Sequence, residues 1–211
     1  MMTLYGYSLS SASYRVRIAL ALKGLEANPV SKQLRRGEHR HKDFLKLNPQ
    51  GFVPVLVLDD GEALTQSLAI IEYLEETHPN PPLLPAAPLA RARVRALCQL
   101  IACDIHPLNN LRALKYLESP LGIAQATREQ WYRHWVEAGF AALEEWLGRD
   151  GSRGRFCHGD SPGMADVCLV PQVFNARRYS VDLSPYPRIV AIDAACRELA
   201  TFAAAAPEKQ I

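Results

Sequence analysis

The chain has 211 residues, long enough for two small domains, and 48% apolar side chains with 22% charged ones allow a substantial core. With 24 basic residues against 22 acidic ones the formal charge is +2, a near balance that leaves no electrostatic footprint for nucleic acid. The start of the chain has no basic region ahead of a long apolar stretch, and no apolar run approaches the roughly 20 residues that cross a bilayer, so a cytoplasmic protein without a membrane segment is expected.

Thr3-Leu4-Tyr5-Gly6-Tyr7 is a short β-prone run, and a serine-rich turn follows over residues 8–13. Residues 14–23 carry Val16, Ile18, Ala19, Leu20 and Leu22, with Gly24 as a natural helix stop. A second strand is expected over 28–34 and a short helix over 42–47, ended by Asn48-Pro49. Residues 52–58 are strand-like although Pro54 interrupts them, and Asp59-Asp60-Gly61 turns the chain into a returning strand at 63–65. An amphipathic helix over 67–78 should direct Leu68, Ile71, Tyr73 and Leu74 inward. The order β-α-β-α-β-β-α makes residues 1–80 an α/β domain.

From Asn80 a proline-rich stretch has no hydrophobic period, and residues 81–88 are assigned as the linker. Residues 89–211 read as an all-helical domain. It should hold a long helix over 89–116 that Pro107 kinks or breaks, and a second over 127–147 capped by Thr127 with Gln130 three residues on. Further helices are expected over 166–178 and 187–206. The five cysteines, Cys98, Cys103, Cys157, Cys168 and Cys196, are odd in number and form no C-x-x-C pair. They read as buried small apolar groups, with no disulfide framework, zinc ribbon or other metal site expected.

Ser10, Ser11 and Ser13 lie between a strand and the first turn of a helix, where unpaired N–H groups and the helix dipole favour an anion. A hydroxyl there can donate to a bound thiolate and lower its pKa; equally, Ser13 or a neighbour can simply cap the helix. Val53-Pro54, between two apolar runs, would leave backbone groups free to pair with an extended peptide, and a cis bond there would be a deliberate feature. Gln66-Ser67 opens the next helix, a second N-terminus suited to a carboxylate.

Together these residues resemble the thioredoxin-like domain of glutathione transferases. The run from Ser10 to Gly24, through Tyr14-Arg15-Val16-Arg17-Ile18-Ala19-Leu20, is similar to the zeta class specifically. So are Asn48-Pro49-Gln50-Gly51-Phe52-Val53-Pro54, Gln66-Ser67-Leu68-Ala69-Ile70-Ile71-Glu72-Tyr73-Leu74, Cys103-Asp104-Ile105-His106-Pro107-Leu108-Asn109-Asn110 and Met164-Ala165-Asp166-Val167-Cys168. The resemblance implies a thioredoxin-like α/β domain followed by an all-α domain, with glutathione as cofactor across the first. Ser10 and Ser11 would face its sulfur, Val53 beside Pro54 would pair with its cysteinyl backbone, and Gln66 and Ser67 would hold its γ-glutamyl end. Gln50, His39 and His106 are candidates for the glycyl end, although His39 sits in a charged stretch that reads equally as a solvated loop.

The class also implies a homodimer and a cis–trans isomerisation of maleylacetoacetate or maleylpyruvate by thiolate addition, bond rotation and elimination. Arg178 matches a family arginine that takes a carboxylate of the small dicarboxylate substrate, a role that suits a planar guanidinium. Three positions depart from the pattern: Ala12 replaces a usual cysteine, Leu9 a common arginine, and Leu111, followed by Arg112, an arginine of the bacterial enzymes. Gly163 stands where a Ser or Thr normally caps the core helix, with Asp166 in place. Leu9 and Leu111 favour a competing reading, a general transferase or an α-halo acid dehalogenating one, in which glutathione is consumed. A binding module of this fold without chemistry is the other alternative, and the intact serine, Val53-Pro54 and Gln66-Ser67 set opposes it.

Overall fold

In a computed structural model that describes residues 1–149 and 151–210, strand β1 (Thr3–Gly6) lies between β2 (Asn28–Ser31) and β3 (Val55–Val57). It runs parallel to β2 and antiparallel to β3, and β4 (Ala63–Thr65) closes the far side antiparallel to β3. A parallel pair needs a crossover, and α1 (Ser11–Lys23) supplies it. Gly24 ends that helix in the left-handed region at φ 64°, where its N–H returns to the carbonyls of Leu20 and Ala21.

Period two sorts the sheet faces. Val53 and Val55 pack with Phe44 of α2 (Lys42–Leu47), and Tyr5 and Val57 join them. Leu4 and Leu56, register partners on the opposite face, are also buried. Helix α3 (Ser67–Thr77) packs on α1 and buries Ile70, Ile71 and Leu74, whereas Leu68 and Tyr73, expected inward, are only half-buried. Ile71 and Leu74 are thus buried as expected, with Ile70 in place of Leu68 and Tyr73.

The chain divides between Leu83 and Leu84, and residues from Arg197 onward return to the first unit. Two networks account for that. Lys23 Nζ pairs with Glu75 Oε2 at 2.5 Å and also donates to the Pro81 carbonyl, while the Leu83 N–H donates to the same carboxylate. The start of the proline-rich stretch is thereby fastened to α1 and α3. The short helix α9 (Ala200–Ala205) packs on α1, where Arg17 donates from Nε to the Ala205 carbonyl at 3.0 Å and from Nη2 to the Ser8 carbonyl at 3.1 Å. Burial lowers the Arg17 guanidinium to about 10, against an opposing pull from Tyr14. The last helix expected from sequence is thus two: α8 (Pro187–Arg197) ends before α9 begins, and α9 belongs with the sheet.

The second unit is helical throughout. After α4 (Pro88–Gln99) the chain makes a π-helical turn, Leu100–Ile105, then a 3-10 turn, Pro107–Asn109, and α5 (Leu111–Glu118). The expected single helix over 89–116 therefore changes geometry seven residues before Pro107. The adjoining helix α6 (Gln125–Arg149) begins two residues ahead of Thr127, so Thr127 lies within its first turn and is not its cap. Gly139 of α6 lets Ile105 approach so closely that a Cβ there would stand 2.3 Å from the Ile105 side chain. Helix α7 (Met164–Arg178) is the core element, with every residue from Met164 to Val173 buried. Asp166 accepts from the Gly163 N–H at 2.8 Å and from the Cys157 N–H at 2.9 Å; it makes the returning half of a capping box, while glycine at 163 gives no side-chain cap. Burial raises the Asp166 carboxyl, opposed by those N–H bonds. Four of the five cysteines are buried, Cys103 is exposed, and none of the five is in a disulfide. Among the described residues no helix is long and apolar enough to cross a membrane, and no cluster of His, Cys, Asp or Glu could hold a metal ion.

Candidate active site

Ser10 is the N-cap of α1: its extended backbone (φ −76°, ψ 117°) lets Oγ accept the Ser13 N–H at 3.2 Å. Its own N–H is held by the Tyr7 carbonyl at 3.0 Å, which closes the turn. Ser13 Oγ in turn accepts the Tyr7 N–H, tying helix to strand. An oxygen that accepts from Ser13 still carries a proton to give. Ser10 is half-buried, whereas Ser11, the first helical residue, is only 4% exposed. The α1 first turn holds no acidic residue, so its positive end is not neutralised from within the helix.

Val53-Pro54 is cis, and both residues are buried at the entry to β3. The second helix start is built differently. Gln66 sits at φ 67°, a conformation that costs a non-glycine residue on the order of 1–3 kcal/mol. Its Nε2 donates to Gln50 Oε1 at 2.9 Å, joining two of the sequence candidates directly. Beside Gln50, Gly51 (φ 64°) fits because a Cβ would stand 2.9 Å from the His39 carbonyl, so the segment carrying His39 abuts the Gln50 turn. Ser67 is buried at the first position of α3, whose first turn also lacks acidic residues, and its Oγ accepts from Arg15 Nη1 at 3.3 Å.

In the second unit His106 follows the π turn, which is closed by its N–H on the Ile101 carbonyl at 3.0 Å. Such turns recur at functional sites. His106 Nε2 lies 3.2 Å from Asn110 Nδ2, and Asn110 caps α5 by accepting the Arg112 N–H. At the end of α7 the two arginines differ. Arg177 pairs with the buried Asp193 carboxylate at 2.7 Å. Arg178 is exposed, with its guanidinium 5.7 Å from the Phe174 ring centroid and a 3.3 Å bond to Asn175 Oδ1. Tyr179, the next residue, stacks on Tyr132 of α6 at 3.6 Å; burial and then Tyr179 raise the Tyr132 hydroxyl, and Arg178 opposes them.

Residues 9–77 match the family model described as glutathione S-transferase, N-terminal domain, and residues 129–202 match its C-terminal counterpart. A probable maleylacetoacetate isomerase of Vibrio cholerae serotype O1 is 51% identical over 210 residues, covering 98% of this chain and 96% of the relative. The chain belongs to the glutathione S-transferase family. Its place within the family is the zeta class: a solved maleylpyruvate isomerase, described as a bacterial glutathione-S-transferase in zeta class, superposes with a TM-score of 0.96 at 48% identity, covering 99% of this chain and 98% of that one. A maleylacetoacetate isomerase from Methylobacterium extorquens AM1, solved with malonate and glutathione, gives the same TM-score at 41% identity and the same coverage.

Two residues of this zeta-class chain that contact sequence candidates, Arg15 at Ser67 and Asn110 at His106, are not singled out by the sequence. Arg15 is 1% exposed on an otherwise apolar helix face, and Asn110 meets His106 while capping α5. A charged residue flanked by Tyr14, Val16, Ile18 and Ala19, all buried, was the available signal for the first. The second had none beyond its place in the matching run. Of the departures, Ala12 lies in the first turn of α1 and Leu111 is the first residue of α5; nothing in the structure explains Leu9.

Proposed function

We propose that this zeta-class transferase is a glutathione-dependent cis–trans isomerase of maleylacetoacetate or maleylpyruvate, working as a cytoplasmic homodimer. The observation that carries the reading is the pair of helix starts in the first unit. Each has a serine whose oxygen already accepts a protein hydrogen bond, Ser10 from Ser13 and Ser67 from Arg15, and neither has an acidic residue in its first turn. Donors without competing carboxylates suit two anions of one extended tripeptide, the thiolate of its central cysteine and the carboxylate of its γ-glutamyl end.

When bound, glutathione supplies a thiolate that adds to the cis double bond, permits rotation and leaves again unchanged. The chain's own residues do the rest. Ser10, half-exposed with a proton to give, donates to the sulfur, with Ser11 beside it at the helix start. Ser67 and Gln66, braced by Gln50, hold the γ-glutamyl end, and Val53 next to Pro54 pairs with the cysteinyl backbone. His39 and His106 are assigned to the glycyl end. Arg178 takes a substrate carboxylate, because Arg177 is already committed to Asp193.

A hydrogen bond to a charged acceptor is worth about 1.5–3 kcal/mol, or one to two pKa units on the bound thiol. Ser10→Ala should therefore lower turnover about ten- to a hundredfold near neutral pH while glutathione affinity changes far less, and Ser11→Ala should do less. Turnover unchanged in both variants would remove the serine turn from the chemistry. Arg178→Lys should raise KM for the dicarboxylate, and Arg177→Lys should not. Sedimentation at twice the 23.5 kDa chain mass tests the dimer.

A further inference from the structure

A buried guanidinium must have a reason. It carries five donors, no acceptor, and cannot shed its charge, and placing it out of water is unfavourable unless something uses it. Arg15 is such a group: 1% exposed, among the largest fully buried side chains, with Tyr14, Val16, Ile18 and Ala19 buried around it in sequence. It lies one turn beyond Ser11 on the same face of α1. Its Nη1 is 3.3 Å from Ser67 Oγ, so it spans from the helix that begins at the serine turn to the first residue of α3.

The chemistry of that contact has a direction. Arginine can only donate, so the Ser67 oxygen accepts, and the hydroxyl proton must point to another acceptor. Ser67 is preceded by Gln66 with its backbone at φ 67°, which sets the α3 start rigidly in place. We propose that Arg15 is a positioning residue of the glutathione site. Acting through Ser67, it fixes that hydroxyl as a donor to the α-carboxylate of the γ-glutamyl group and places a permanent positive charge behind it. This rests on the reading of Ser67 given above and adds the residue that sets its polarity. Arg15 itself does not touch the ligand.

The test compares two ligands by calorimetry: glutathione and γ-aminobutyryl-cysteinylglycine, identical but for the missing α-carboxylate. Charge-assisted bonds of this kind predict that the wild type prefers glutathione by about tenfold or more. In Arg15→Met the preference should fall to within about threefold, mostly by loss of glutathione affinity, and Ser67→Ala should reproduce it. A variant that weakens both ligands equally and keeps the wild-type preference shows a purely structural arginine and overturns the inference. If Arg15→Met does not fold, as judged by far-UV circular dichroism, Arg15→Gln takes its place with the same two outcomes. A wild type that does not distinguish the ligands refutes the Ser67 reading itself, and the inference falls with it.

Discussion

Replacing Gln66 by alanine and by glycine separates the strain in its backbone from the use of its side chain. At φ 67° a residue with a Cβ is held against its preference, at a cost on the order of 1–3 kcal/mol. Glycine escapes that cost but gives up about 0.5–1 kcal/mol to the greater freedom of the unfolded chain. Both variants lose the 2.9 Å bond to Gln50, so that loss cancels in the comparison. The difference leaves Gln66→Gly more stable than Gln66→Ala by up to about 2.5 kcal/mol, the reverse of the usual order in regular structure. Urea unfolding followed by circular dichroism reads it as a higher midpoint at equal slope. Both variants should bind glutathione more weakly than the wild type. Alanine equal to or more stable than glycine would mean that the backbone at Gln66 is not strained, and the rigid α3 start would lose its basis.

Removing one partner of the buried Lys23–Glu75 pair strands the other: Glu75→Gln should destabilise the first unit by about 3–5 kcal/mol in urea, whereas Lys23→Met with Glu75→Leu together should cost far less. At Gly139 a methyl group would stand 2.3 Å from the Ile105 side chain, so Gly139→Ala should cost about 1–3 kcal/mol by overpacking, and crystallography should find the π turn below His106 displaced. Burial holds the Asp166 carboxyl above its unfolded value, so the folded state takes up this proton first and acidification favours folding through it. The stability of the wild type relative to Asp166→Asn should accordingly rise as pH falls from 7 through the folded value toward about 4; a gap that shrinks over that window would contradict the direction.

Much of this was legible in the sequence because local chemistry decided it. Gly24 ends α1 since only a residue without Cβ takes its left-handed φ freely, and the apolar run around Val55 with the Asp59-Asp60-Gly61 turn marks the β3–β4 hairpin, although β3 keeps only Val55–Val57 of the expected 52–58. What sequence missed depends on contacts made at a distance. Residues 197–210 read as more of the helical domain because their helical spacing is the same whichever unit they pack on; the Arg17 bonds to Ser8 and Ala205 decide that. The early change of helix geometry at Leu100, seven residues before Pro107, has no local signal in the sequence, and the turn ends at Ile105 against Gly139, 34 residues further on. In the site, the serines stood out as a cluster between a strand and a helix start, a place that suits a cap and an anion alike, but which serine caps and which is buried needed the fold. Arg15 was hidden because an arginine that shares its helix with Arg17 and Lys23 reads as a surface residue until its burial is known.

The central claim is that glutathione acts here as a recycled cofactor in an isomerisation. The direct measurement is to follow maleylacetoacetate and maleylpyruvate with and without glutathione while titrating free thiol over the same time course. Glutathione-dependent formation of the trans acid with free thiol unchanged is the predicted result, and the faster acid names the substrate. Loss of thiol in step with substrate, or no isomerisation of either acid, would contradict the account and make the chain a conjugating or dehalogenating transferase instead.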